Sequence, residues 1–234
     1  MQLFYNPELD ASTKEVTFDK TESRHIVKVL RKKMGDVLSI TNGKGSLFEA
    51  EIIVASEKKC TASITSSVIN EKEWNYQLHM AIAPTKSLDR LEWFLEKATE
   101  IGVDEITPIF CSNSERRVVK MERLQKIVVA ASKQSLKYHF PKLNNALTFK
   151  EFLNRAIDGE KLIAHCYDYE KTPLKNIKVS NKTTILIGPE GDFSEQEIEQ
   201  AIDKGFTAIS LGTSRLRTET AGIAAVHSVS LLNQ

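Results

Sequence analysis

The sequence predicts an α/β chain in two parts, an amino-terminal β-barrel of short strands and a larger carboxy-terminal domain in which helices alternate with the strands of a parallel sheet. Three observations carry this reading. Up to about residue 68, apolar and polar positions alternate between turn residues. From about residue 77 onward, short unbroken apolar runs alternate with stretches of helical period. The chain has 234 residues, 41% hydrophobic and 27% charged, enough to bury a sizeable core and too polar for a bilayer.

In the first part, residues 2–5 and 15–18 read as opening strands. Residues 36–41 and 47–55 flank the turn Asn42-Gly43-Lys44-Gly45 and form a hairpin, and 60–68 supply a further strand. Between them, Thr21 is expected to cap a short helix. On it Ile26, Val29 and Leu30 share a face, while Arg24, Lys28, Arg31, Lys32 and Lys33 point elsewhere. The charged connector Asn70-Glu71-Lys72-Glu73 marks the boundary, giving domains of 1–72 and 73–234.

The second part opens with an apolar strand at 78–83. Ser87 starts a helix carrying Leu88, Leu91, Leu95, Ala98 and Ile101, Gly102 ends it, and a strand follows at 106–110. A long helix is expected over 121–137, with Leu124, Ile127, Val128, Ala131 and Leu136 inward. Strands at 162–166, 184–188 and 208–211 complete a sheet buried on both faces. Ser194 and Glu197 make a capping box, and the last helix covers 218–232.

Composition excludes several classes. Cys60, Cys111 and Cys166 are odd in number and widely spaced, which fits reduced thiols, and five scattered histidines offer no metal-ligand spacing. No signal peptide or apolar run of spanning length is present, so the expectation is a cytoplasmic protein without a membrane partner and without a metal. The 32 basic and 31 acidic residues nearly cancel, which taken alone points away from nucleic acid. The distribution says otherwise. Residues 20–33 hold six bases and one acid, 112–142 hold eight bases and two acids, and 190–203 hold six acids and no base. Each basic stretch is either a phosphate surface or a solvated helix face.

Two strand-to-helix loops carry the chemistry. GPEGDFS at 188–194 places two glycines around a rigid proline, and LGTSRLRTETA at 211–221 sets two arginines, a glutamate and three threonines beside a helix amino terminus. Ligands of parallel α/β sheets sit at such carboxyl ends. Neither loop is a Walker phosphate loop, a dinucleotide fingerprint or a nucleophile elbow.

As a pair, these loops closely resemble the signatures of the ribosomal RNA small subunit methyltransferase E family, within the SPOUT superfamily. Weaker echoes lie at Arg24-His25, Val29-Leu30-Arg31, residues 97–103 and Glu115-Arg116-Arg117. The resemblance implies an amino-terminal PUA-like barrel for RNA, a SPOUT domain with a trefoil knot, and S-adenosylmethionine-dependent methylation of a uracil N3 in 16S rRNA. It further implies a homodimer acting on the small ribosomal subunit. The alternatives are a SPOUT methyltransferase with another RNA target, or a catalytically silent RNA-binding or ribosome-assembly protein.

Carried over by position, the resemblance assigns His165, Ile187, Gly188, Pro189, Glu190, Gly191, Leu211, Gly212, Arg215, Leu216, Arg217, Thr218 and Thr220 to the methyl donor. Arg217 and Glu219 become candidate catalytic residues. Arg217 would stabilise charge growing on the uracil, and Glu219 or Glu190 would take the N3 proton or orient the base; Glu219 as helix cap with Arg217 as its ion pair stays open. The RNA contacts would be Arg24, Lys28, Arg31, Lys32, Arg116, Arg117, Lys133 and Lys137. Two departures from the commoner family form stand out. Asp192 stands where a second glycine is usual and is expected to narrow the backbone freedom of its loop, and a lysine in the 133–137 segment replaces a frequent arginine.

Overall fold

The computed structural model describes residues 2–177 and 181–233, which leaves Met1 and Gln234, the ends of the two expected domains, outside. The chain divides into two compact units. One runs up to Glu73 and takes in Ser132–Phe140; the other comprises Trp74–Ala131 and the chain from Pro141 onward.

The first unit is a five-stranded sheet. Its elements are β1 (Leu3–Tyr5), β2 (Glu15–Thr17), α1 (Lys20–Arg24) with a following π turn (His25–Val29), β3 (Val37–Thr41), β4 (Ser46–Val54) and β5 (Thr61–Ile69). The strand order is β1-β3-β4-β5-β2, with β1 parallel to β3 and the other pairs antiparallel. Alternation puts Leu38, Ile40, Phe48, Ala50 and Ile52 into one core with Phe4, Val16 and Ile26. The cap of α1 is Asp19 rather than Thr21. Its carboxylate accepts from the Glu22 amide at 2.8 Å, so the helix starts two residues earlier than expected. At the hairpin turn, Gly45 has φ +97° and a Cβ there would lie 2.6 Å from His139, so only glycine fits.

Residues 132–140 correct the expected long helix. It stops at Gln134, Leu136 adopts φ +55° and is exposed rather than inward, and Lys137 is buried with its ammonium 2.6 Å from Glu73. The Phe140 ring stacks on Tyr5 at 4.6 Å. Helical period alone could not register that this segment packs with strands more than sixty residues upstream.

The second unit contains β6 (Gln77–Ile82), α2 (Leu88–Ile101), β7 (Glu105–Phe110), most of α3 (Met121–Gln134), β8 (Lys142–Leu143), β9 (Leu147–Thr148), α4 (Phe149–Leu153) and β10 (Glu160–Ala164). It continues with β11 (Thr172–Pro173), β12 (Lys182–Ile187), α5 (Glu195–Asp203), β13 (Thr207–Ser210) and α6 (Thr218–Leu232). The sheet is parallel in the order β11-β13-β10-β12-β6-β7-β8, with β9 also paired to β7. Both faces are buried. Met80, Ile82, Ile185 and Ile187 enter a cluster with α2 and α6, while Ala81, Ala83, Leu186 and Ile163 enter another with α4 and α5. The two-residue strands and α4 are too short to carry a period, and the sequence did not announce them. Among the described residues, no helix is long and apolar enough to cross a membrane.

Candidate active site

The carboxyl ends of the neighbouring strands β10, β12 and β13 open into a cavity of about 820 Å³, within the range of small-molecule sites. Of the residues expected at the methyl donor, His165, Ile187 to Gly191, Leu211, Gly212 and Arg215 to Thr218 line it. Thr220 does not, because α6 has begun at Thr218 and turns that side chain to solvent. Cys166, Tyr167, Lys171 and Asp192 line it as well. The first three follow His165, the strand-end residue expected at the donor, and adjacency of β10 to β12 in a parallel sheet brings them to the cavity.

In the first loop, neither Gly188 nor Gly191 has positive φ; the left-handed residue is Asp192, at +61°. What the glycines allow is close approach. A Cβ on Gly188 would lie 3.0 Å from the Phe193 ring, and one on Gly191 would lie 3.1 Å from Asn113 Cβ. Asp192 does not simply restrict the loop. Its Oδ2 accepts from the Cys166 amide at 2.6 Å and its Oδ1 from the Phe193 amide at 2.8 Å. The Ser194–Glu197 capping box is present in α5. Glu190 lines the cavity while its Oε1 accepts from the Lys86 amide at 2.9 Å.

The second loop is more open. Gly212 has φ +129° with no atom near its absent Cβ, and Thr213 to Arg215 are exposed. It is joined to the first loop by the buried Thr218 hydroxyl, which donates to the Gly188 carbonyl at 3.1 Å. Arg217 is exposed and lines the cavity. Glu219 does not: it is 8% exposed, its Oε1 lies 3.8 Å from Arg90 Nε, and its Oε2 is buried without a hydrogen bond. The helix-cap alternative also fails, since Arg217 is the cap residue of α6 and the ion-pair partner of Glu219 is Arg90. The Glu219 carboxylate, in the first turn of α6, is favoured there by the helix dipole.

His165 is the most telling side chain. It is 7% exposed, lines the cavity, and both ring nitrogens are buried without a hydrogen-bond partner. Burial, with the Lys171 ammonium nearby, holds its pKa below the ordinary value, so the ring is neutral and offers one donor and one acceptor. Both nitrogens are thereby left available to a molecule bound in the cavity.

The expected RNA contacts divide. Arg24, Lys28 and Arg31 are exposed and Lys32 is half-buried. Lys137 is buried on Glu73, and Lys133 is bound to Glu22 at 2.9 Å. Arg116 donates to the carbonyls of Thr85 and Lys86, and Arg117 to that of Ser112. The surplus over 112–142 is thereby largely spent on protein partners, as it is again at Arg123 with Glu92.

The RNA methyltransferase domain family matches residues 72–230, and the RNA methyltransferase PUA domain family matches 18–65. The ribosomal RNA small subunit methyltransferase E of Buchnera aphidicola (Acyrthosiphon pisum) is 30% identical, over 93% of this chain and 88% of its own. The chain belongs to the ribosomal RNA small subunit methyltransferase E family. The Rickettsia conorii member is 29% identical over 99% of this chain and 95% of its own. Among solved structures, a probable rRNA methyltransferase from Porphyromonas gingivalis is 40% identical, with a TM-score of 0.92 over 100% of this chain and 98% of its own. The family member from Neisseria gonorrhoeae, solved bound to S-adenosyl methionine, is 32% identical, with a TM-score of 0.84 over 99% and 98% of the two chains.

Proposed function

We propose that this chain transfers a methyl group from S-adenosylmethionine to N3 of a uridine in the 16S rRNA of the small ribosomal subunit. Family membership supports the reaction class, and the single observation that carries the donor site is His165, buried and neutral with both ring nitrogens unpartnered on a cavity of about 820 Å³. That orphaned pair fits an adenosine, which has both donors and acceptors. The backbone of 187–191 and 211–212 forms the walls, and Arg215 to Thr218 close the side towards α6. S-adenosylmethionine supplies an electrophilic methyl group on a sulfonium.

The protein's own contribution is positioning and charge. Arg217, exposed at the cavity, stabilises negative charge gathering on the uracil carbonyl oxygens as N3 loses its proton. Of the two carboxylates first considered, Glu190 is at the cavity and Glu219 is not. The Glu190 oxygen not held by Lys86 takes the N3 proton or orients the base, and Glu219 acts on α6 through Arg90. Arg24, Lys28, Arg31 and Lys32 on the amino-terminal unit bind RNA phosphates; replacing Arg24, Arg31 and Lys32 with Gln weakens RNA binding and flattens its salt dependence.

The reading includes a closed PUA-like barrel, a trefoil knot in the carboxy-terminal unit, a homodimer and a cytoplasmic location. Trp93 on α2 and Leu231 and Leu232 on α6, which are apolar and exposed, support association with a second copy. The deciding experiment is transfer of a labelled methyl group to small subunits from a strain lacking the modification, followed by primer extension. N3 methylation blocks the pairing edge and stops the polymerase at one uridine; labelling without a stop moves the target atom, and no labelling removes the activity.

A further inference from the structure

We propose that Asp192 is a positioning residue that clamps the 188–194 loop to the end of β10 and so holds His165 and the first wall of the cavity in their ligand-ready arrangement. The proposal rests on the reading of this cavity as the S-adenosylmethionine site. Three features coincide at one residue. Its backbone is left-handed, with φ +61°, while its amide donates to the Pro189 carbonyl at 2.9 Å and closes the turn. Its carboxylate divides between two segments, taking the Cys166 amide on one oxygen and the Phe193 amide on the other. The Asn113 side-chain amide then holds the carbonyls of Gly191 at 3.1 Å and Asp192 at 3.2 Å.

Cys166 directly follows His165, whose ring makes no hydrogen bond of its own. The Cys166 amide bond to Asp192, together with the Lys171 ammonium on the His165 carbonyl at 3.3 Å, fixes the strand end from which that ring projects. Residue chemistry narrows the choice. The position needs a side chain that tolerates left-handed φ and accepts from two N–H groups at once. Asparagine meets the first condition but would turn an NH₂ donor towards one of those N–H groups; glycine meets the first and offers no acceptor; alanine meets neither.

The test uses the full chain and its Asp192→Asn, Asp192→Gly and Asp192→Ala variants, with two independent readouts. The first is S-adenosylmethionine affinity by calorimetry together with kcat at saturating donor. The second is the rate at which a thiol reagent labels Cys166, the exposed cysteine; Cys60 and Cys111 are buried. Burial and the Asp192 carboxylate both push the Cys166 thiol up, so loss of that charge and of the clamp speeds labelling at neutral pH.

The expected result is about tenfold weaker donor binding in Asp192→Gly and Asp192→Asn, equivalent to about 1.4 kcal/mol, with Asp192→Ala weaker still. Labelling of Cys166 is faster in all three, and the fold-loss in donor affinity exceeds the fold-loss in kcat at saturating donor, because the clamp acts first on donor placement. An Asp192→Gly protein with wild-type affinity and wild-type labelling overturns the clamp. Failure of the cavity reading looks different: the wild-type chain would not bind S-adenosylmethionine and the donor would not slow Cys166 labelling. Faster hydrogen exchange at the Cys166 amide in Asp192→Gly than in wild type would still report the clamp.

Discussion

The loop at 188–194 is tied to other segments through Asn113, the Lys86 amide and the Cys166 amide, whereas the loop at 211–217 leaves Gly212 to Arg215 exposed and meets the first through Thr218. One wall of the cavity is thus built into the packing of the domain, and the facing wall stands largely on its own backbone. Substitutions therefore register differently in the two loops. Changes in the first loop are felt as stability, because neighbours must move; changes in the second are felt as activity, because its side chains have little else to hold.

The largest expected effect falls on the open wall. Arg217→Ala lowers single-turnover methyl transfer at saturating donor by about 10²–10³-fold, the usual cost of removing one stabilising donor, and leaves the melting temperature unchanged. Loss of stability in this variant would break the comparison, and an unaltered rate would take Arg217 out of the chemistry. Next comes a pair of matched alanines. Gly188→Ala overpacks the loop against the fully buried Phe193 ring and costs about 1–3 kcal/mol. Gly212→Ala meets open space but places a side chain on a left-handed backbone at φ +129°, and costs more than about 1 kcal/mol through strain alone. Urea midpoints measure both; Phe193→Leu, which opens space beside residue 188, relieves the loss in Gly188→Ala and leaves that in Gly212→Ala unchanged, and relief of both would show that the second wall is packed like the first.

Much of this site was legible beforehand because its signals are local. Two glycine-bearing loops after parallel strands, the Ser194–Glu197 box and the start of the last helix at Thr218 are short-range patterns, and the cavity gathers most of the residues they named. The misses are non-local. Lys171, six residues beyond the strand-end His165, became a wall residue through strand order and the path of the chain after β10, which no spacing in the chain encodes. Glu219 fails as a cavity carboxylate because helix phase turns it towards Arg90 on α2. The basic stretch at 112–142 read as a stripe because sequence counts charges without their partners, and Glu22, Glu73 and Glu92 neutralise part of it from a distance. Asp192 read as a constraint because a carboxylate's acceptors are invisible until the amides of Cys166 and Phe193 face it.

A smaller effect is expected where the two walls meet. Thr218→Val keeps the shape of the side chain and removes the hydroxyl that bonds the Gly188 carbonyl, at a cost of about 1 kcal/mol in the urea midpoint. The site is buried, so water does not readily replace the lost donor. A double-mutant cycle with Gly212→Ala sharpens the comparison. If the open loop is anchored only through Thr218, the two losses are coupled; if it has its own support, they add.

The smallest effect is a pH dependence at the strand end that both walls share. His165 has an ordinary pKa of 6.5, and burial, followed by the Lys171 ammonium, lowers it in the folded chain. The unfolded chain therefore binds a proton at a pH where the folded chain does not. Its contribution to stability is complete above about pH 6.5 and is lost as the pH falls through the folded value. His79 is lowered by burial as well and adds a loss of the same sign, so the two must be separated by mutation. The stability of His165→Gln, followed by urea unfolding between neutral and mildly acidic pH, should fall less steeply than wild type while the slope due to His79 remains. An unchanged slope would mean that His165 is protonated as readily when folded as when unfolded, and the neutral ring assigned to the donor site would then be lost.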